Sequence, residues 1–201
     1  MTHVKSLGML LAITLTSAAS EAADGPMTLL RRSQGRANEL LRKEYEPTSV
    51  EGKRVQSEIK DLVNNFLDYR ELSRRSLGQH WDSRTRREQE EFVSVLRDLI
   101  ERNYVKQLRS NLDYEVDFQK EDVAGDEATV STVVKVRRHK RVAETEIVYK
   151  FRKVGGTWLV FDIVTDEVSM IQNYRTQFNR IISKESYPAL LKKMRRKLGE
   201  A

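Results

Sequence analysis

The sequence predicts an α+β domain in which several helices cover one face of an antiparallel β-meander of about four strands and enclose an apolar pocket. Three observations carry that prediction. Up to Leu108, apolar residues recur at three- and four-residue intervals, the spacing of amphipathic helices. From Tyr114 to Phe151 they alternate at every second position, as half-buried strands do, with short glycine turns at Gly125-Asp126 and Gly155-Gly156. Helices grouped before strands, not interleaved with them, favour an antiparallel sheet with its helices on one side.

Met1 to Ala22 has His3 and Lys5 in a short basic region, an apolar run from Leu7 to about Ala19, and small residues before a plausible cut after Ala22. That run is too short and too rich in small residues for a good transmembrane span, so residues 1–22 read as a cleaved secretory signal, with an uncleaved N-terminal anchor as the alternative, and 23–201 as a single domain. A basic helix follows, with Leu29, Leu30, Ala37, Leu40 and Leu41 as its apolar positions; it runs to Tyr45 and is ended by Pro47. Ser57 to Leu67 carries Ile59, Leu62, Val63 and Phe66 on one helical face. Asp68, with Glu71 three residues on, predicts a capped short helix from Tyr69 to Leu77, closed by Gly78 in a left-handed conformation. Thr85 with Glu88 repeats the device at the head of the longest helix, whose apolar side runs through Phe92, Leu96 and Leu99.

Tyr114, Val116 and Phe118 mark the first strand, Val130 to Val136 the second, and Ile147, Tyr149 and Phe151 the third. Gly155-Gly156 allows a two-residue hairpin, because both positions can take positive φ. Trp158 to Val164 is apolar on both faces and predicts a fourth strand covered on both sides. Val168, Ile171, Tyr174, Phe178 and Ile181 return to helical spacing, so a helix starts near Val168. The tail from Lys184 is a basic helix with Leu190, Leu191, Met194 and Leu198.

Charged residues are 33% of the chain and the formal net charge is +6, so the surface is heavily solvated and basic. Export sets a nucleic-acid partner aside, and no aromatic-plus-basic readout motif is present. Without cysteine there is no disulfide, acylated-cysteine anchor or thiolate chemistry, which suits a bacterial periplasm. His80 and His139 lack partners at metal-ligand spacing, so neither a metal nor a cofactor is expected. Asp162 and Tyr149 are the only catalytic candidates; there is no phosphate-cradling glycine loop, no Gly-x-Ser-x-Gly elbow and no paired-carboxylate constellation. The chain therefore reads as a non-enzyme.

Several segments resemble the periplasmic phospholipid-binding proteins of the Mla lipid-asymmetry pathway, the toluene-tolerance or ABC-transporter auxiliary family. They are Phe66-Leu67-Asp68-Tyr69-Arg70, Ser76-Leu77-Gly78-Gln79-His80-Trp81, Glu91-Phe92 through Tyr104, Gly155-Gly156-Thr157-Trp158 through Asp162, and Val168-Ser169-Met170-Ile171 running into Asn173-Tyr174-Arg175-Thr176-Gln177-Phe178. Their order and spacing extend the likeness over about residues 28–198; Arg86 and Glu167 stand where that family often has Pro and Gly. The resemblance implies a cystatin-like or nuclear-transport-factor-like cone. It also implies a monomeric carrier that shuttles phospholipid, as cargo, between an outer-membrane lipoprotein complex and an inner-membrane ABC-transporter complex. Two acyl chains of roughly fifteen carbons, at about 0.8 kcal/mol per CH₂, represent on the order of 20 kcal/mol that only an enclosed apolar chamber offsets in water.

For that chamber the sheet would supply Val134, Val136, Ile147, Tyr149, Phe151 and Phe161, and the helices Tyr69, Leu72, Trp81, Phe92, Leu96, Leu99, Tyr104, Val168, Met170, Ile171, Tyr174 and Phe178. Without the resemblance, each of these is an ordinary core residue. Arg70, Lys150 and Arg175 are cations for a headgroup phosphate, or solvated surface charges. The basic tip Arg137-Arg138-His139-Lys140-Arg141 and the C-terminal Lys192, Lys193, Arg195, Arg196 and Lys197 fit anionic headgroups or an acidic partner, or are plain charged surface. The alternative function is a small apolar-ligand-binding or isomerase-like enzymatic domain of the same architecture.

Overall fold

The computed structural model describes residues 24–110, 114–138 and 141–199, apart from the side chains of 104–110, 137–138 and 141. The expected leader and the tip residues His139 and Lys140 lie outside that set. Four helices come first: α1 (Pro26–Leu41), α2 (Val50–Phe66), α3 (Tyr69–Leu77) and α4 (Arg86–Ser110). Strands β1 (Tyr114–Ala124), β2 (Glu127–Arg138), β3 (Arg141–Val154), β4 (Thr157–Thr165) and β5 (Val168–Ser169) then form one antiparallel sheet in sequence order, and α5 (Met170–Lys184) and α6 (Tyr187–Gly199) close the chain. The α+β class and the antiparallel meander are those expected.

Local chemistry accounts for most boundaries. Asp68 caps α3 by accepting from the Glu71 amide at 2.9 Å, and Thr85 and Glu88 form the reciprocal capping box of α4, at 2.8 and 3.3 Å. Gly155 and Gly156 turn the β3–β4 hairpin at φ of 56° and 87°.

Three details differ from the expectation. The strand count is five, because Asp166 and Glu167 turn at positive φ and return Val168 and Ser169 to pair with Thr165 and Val164 before a helix begins. Helix α5 therefore starts at Met170, capped by the Ser169 hydroxyl, and Val168 is 61% exposed on the sheet edge. Helix α1 stops at Leu41, short of Tyr45, and α2 begins at Val50, seven residues ahead of Ser57. Ser49 caps α2, and Gly52 makes the tight entry possible: a Cβ there would lie 2.2 Å from the Glu46 carbonyl oxygen.

The main core packs α3 to α6 against β4 and the adjoining part of β2 and β3, with Leu72, Phe92, Leu96, Phe151 and Val160 wholly buried. A second, smaller cluster of Leu40, Leu41, Val55 and Ile59 holds α1 to α2. The α2–α3 junction is pinned to the free edge of β4, where the Asp68 amide donates to the Val160 carbonyl at 2.8 Å. Helices α1 and α2 thus form a roof with a core of its own.

Candidate functional site: the chamber under α1 and α2

Between that roof and strands β1 to β3 lies a cavity of about 260 Å³. Its wall is built from regular stripes. Helix α1 contributes Leu30, Ser33, Gln34 and Ala37, and α2 contributes Ile59, Leu62, Val63 and Phe66, each set at i, i+3, i+4 and i+7. The sheet contributes alternate residues: Tyr114, Val116 and Phe118 from β1, Thr132, Val134 and Val136 from β2, Ile147 and Tyr149 from β3. Register aligns these into rows, with Tyr114 opposite Val136, Val116 opposite Val134, and Thr132 between Phe118 and Ile147. The space exists because α1 presents two short side chains, Ser33 and Ala37, where a packed interface would carry large apolar ones.

Polar groups on the wall are mostly engaged. The Thr132 hydroxyl donates to the Ile147 carbonyl at 3.1 Å. The Tyr114 hydroxyl donates to Asn38 Oδ1 at 2.6 Å and ties α1 to β1; burial pushes its phenol above the ordinary value and keeps that proton in place. The Arg31 guanidinium lies 3.9 Å over the Phe118 ring, so a cation adjoins the wall. Phe66 meets Tyr149 and Phe151 edge-on, at 6.3 and 6.1 Å between centroids, and partitions the chamber from the main core.

Of the predicted pocket residues, the structure brings Val134, Val136, Ile147 and Tyr149 together on this wall. It places Tyr69, Leu72, Trp81, Phe92, Leu96, Leu99, Phe151, Phe161, Ile171 and Phe178 in the main core, with Met170 and Tyr174 packed against it. Phe178 stacks on Tyr174 and meets Phe92 edge-on, so these rings fill their space with one another. Val168 is on the exposed edge, and the Tyr104 side chain is outside the described set. Sequence reasoning missed the α1 and α2 contributions, although both stripes were visible as helical spacing, and it placed no residue of the first strand on the wall although it had read that strand from its alternation.

The three candidate headgroup cations are elsewhere. Arg70 lies 5.8 Å from the Trp81 ring, Lys150 is 3.5 Å from Asp162, and Arg175 donates to the Arg75 carbonyl at 2.9 and 2.7 Å. In the C-terminal basic cluster, Lys193 pairs with Glu185 and Arg195 with Glu91. Asp162, 3% exposed, accepts from the Ile171 amide at 3.1 Å and the Ser169 hydroxyl at 2.8 Å, so it organises the start of α5. His80 faces Asn179 at 2.9 Å, and no metal-holding group of His, Asp and Glu occurs among the described residues.

An antiparallel meander roofed by helices, with an apolar chamber between the layers, defines a class of small binding domain. The chain belongs to the MlaC protein family, whose model matches residues 32–196. The intermembrane phospholipid transport system binding protein MlaC of Haemophilus influenzae is 25% identical over 142 residues, which span 68% of this chain and 66% of that protein. A phospholipid-binding protein from Ralstonia solanacearum, solved in complex with a phospholipid, superposes with a TM-score of 0.67 at 16% identity over 86% of this chain and 96% of that one, and shares the fold.

Proposed function

We propose that the chain is a periplasmic phospholipid carrier that takes acyl chains into the chamber under α1 and α2. In this reading it passes lipid between inner- and outer-membrane complexes and so maintains outer-membrane lipid asymmetry. The observation that carries it is the chamber wall, apolar along two helix stripes and three strands. Membership of the family and the transport role in the relative's name support it, and the leader expected at residues 1–22 fits the compartment. Val134, Val136, Ile147 and Tyr149 would touch acyl chain, with Arg31 beside Phe118 available to a phosphate.

At about 260 Å³ the chamber is below the roughly 300–1,000 Å³ of pockets for drug-sized ligands, so loading a two-chain lipid requires the roof to lift. Its two ends are anchored differently. Leu30, Val63 and Leu67 belong to the main core, the Met27 amide donates to Glu121 at 2.7 Å and Lys60 pairs with Glu101 at 3.1 Å, while contacts at the far end include its own cluster and the Tyr114–Asn38 bond. Lifting that end exposes the chamber without unpacking the helix pair. Native mass spectrometry of protein purified from a bacterial periplasm tests the reading: near-stoichiometric glycerophospholipid is expected, and a consistently empty protein, or one holding a non-lipid molecule, refutes it.

A further inference from the structure

On the side of the molecule formed by α3 and α5, a groove of about 660 Å³ runs between the 3₁₀ turn Gly78–His80 and the outer face of α5. It is lined by His80, Arg175, Arg180 and Lys184, and no aspartate or glutamate is among its lining residues. Several cations elsewhere sit beside a carboxylate: Arg74 pairs with Glu71, Arg86 with Glu90 and Lys193 with Glu185. In the groove, Arg180 and Lys184 form no ion pair with any described residue, and Arg175 is bound to the neutral Arg75 carbonyl, which leaves its charge uncompensated.

The walls are held in place. Asn179 Oδ1 lies 2.9 Å from His80 Nε2 and ties the turn to α5. Gly78 takes φ 53°, a left-handed conformation that favours glycine, and so sets the turn beside the Arg175 side chain. The turn and helix that carry the positive field are therefore already placed, which lowers the ordering cost on the protein side of binding.

We infer that this groove is a docking site for an acidic segment of a partner protein. From Arg175 to Lys184 the cations extend along about 14 Å of helix, which matches several carboxylates in a row and exceeds what one phosphate spans. The surface is concave, so the plane of a bilayer cannot reach its floor, whereas an extended chain can. Such charge pairing steers association and sets its orientation, and screening over about 8 Å at physiological salt makes it reversible. The inference is independent of what the chamber carries.

The test uses the mature chain and the peptide hexaglutamate, titrated at low salt by isothermal calorimetry and amide chemical-shift mapping. Binding is expected with shifts centred on residues 78–80 and 175–184, and the exposed double variant Arg180→Glu/Lys184→Glu should weaken it at least about tenfold. The variant Lys192→Glu/Lys197→Glu, which removes the same charge from α6, should weaken it less than about threefold. No binding, or equal weakening by both variants, overturns the site. So does displacement of the peptide by stoichiometric inorganic phosphate, or recruitment of the protein to phosphatidylglycerol vesicles that Arg180→Glu/Lys184→Glu abolishes while leaving peptide binding intact. Circular dichroism and bound-lipid content should match the unsubstituted chain in both variants.

Discussion

Filling the chamber with side chains should stabilise the empty protein and evict its guest, two effects of opposite sign that together separate a binding cavity from a packing defect. An unfilled space of 260 Å³ carries a penalty of up to about 6 kcal/mol at the roughly 24 cal/mol per Å³ found for residual cavities. Ser33→Leu with Ala37→Leu adds two branched side chains from adjacent turns of α1, pointing at β2. Allowing for strain, about 2 kcal/mol of that penalty is recovered, which for a chain of this size raises Tm by about 4–8 °C. Helix propensity changes at the two positions stay within about 0.5 kcal/mol and cannot produce a shift of that size. Each leucine also occupies the place of two or three acyl methylenes, about 2 kcal/mol of guest contact or roughly a thirtyfold loss in affinity. Scanning calorimetry of delipidated protein and mass spectrometry of the purified variant read the two arms. A variant that melts no higher than the parent and still carries full lipid would refute the assignment of this wall.

Three further outcomes follow from particular contacts. Tyr149→Glu places a carboxylate on the chamber wall and should abolish lipid occupancy while far-ultraviolet circular dichroism stays that of the parent; undiminished occupancy would remove Tyr149 from the lipid's path. Tyr114→Phe deletes the bond to Asn38 that ties the free end of the roof to β1, and with about 1 kcal/mol lost it should speed exchange of a fluorescent phospholipid about fivefold; an unchanged exchange rate counts against that bond as a latch. Glu71 is held at about 2, chiefly by its hydrogen bond from Arg74 and then by Arg75, against the upward push of burial. Its folded value is below the unfolded one near 4.5, so its contribution is complete above pH 4.5 and is lost as pH falls toward 2. The shift bounds that contribution at about 3 kcal/mol, and half-exposed Arg74 reduces it to about 1–2. Between pH 6 and 2.5, Tm of Glu71→Gln should fall less steeply than that of the parent, and parallel curves would show that the pairing is worth nothing.

The fold was legible because its signals are local. Asp68 and the Thr85–Glu88 pair cap helices through neighbouring residues, and Gly155-Gly156 closes a hairpin in two. The early start of α2 was hidden because its first turns, from Val50 to Gln56, bury little besides Gly52 and Val55 and so show no stripe. Strand β5 was hidden because two residues cannot show a period.

The chamber was only partly legible, for a different reason. Large apolar residues such as Phe92, Leu96 and Phe178 advertise burial, and burial among themselves is what they achieve, ring against ring. A space for a guest arises where one partner in an interface is too small to reach the other, and on α1 that partner is a stripe containing Ser33 and Ala37, which in isolation reads as the weak face of a surface helix. Alternation shows which strand residues share a face, and Val134, Val136, Ile147 and Tyr149 do line the chamber, but only the family resemblance set them apart from core residues such as Phe151. The helix half could not be read, because whether a short side chain faces water or a void depends on what lies opposite, and the pairing of α1 with β1 and β2 is a long-range fact. Cavity walls are accordingly better sought where a helix stripe of the right spacing is poor in bulk than where aromatic residues are densest.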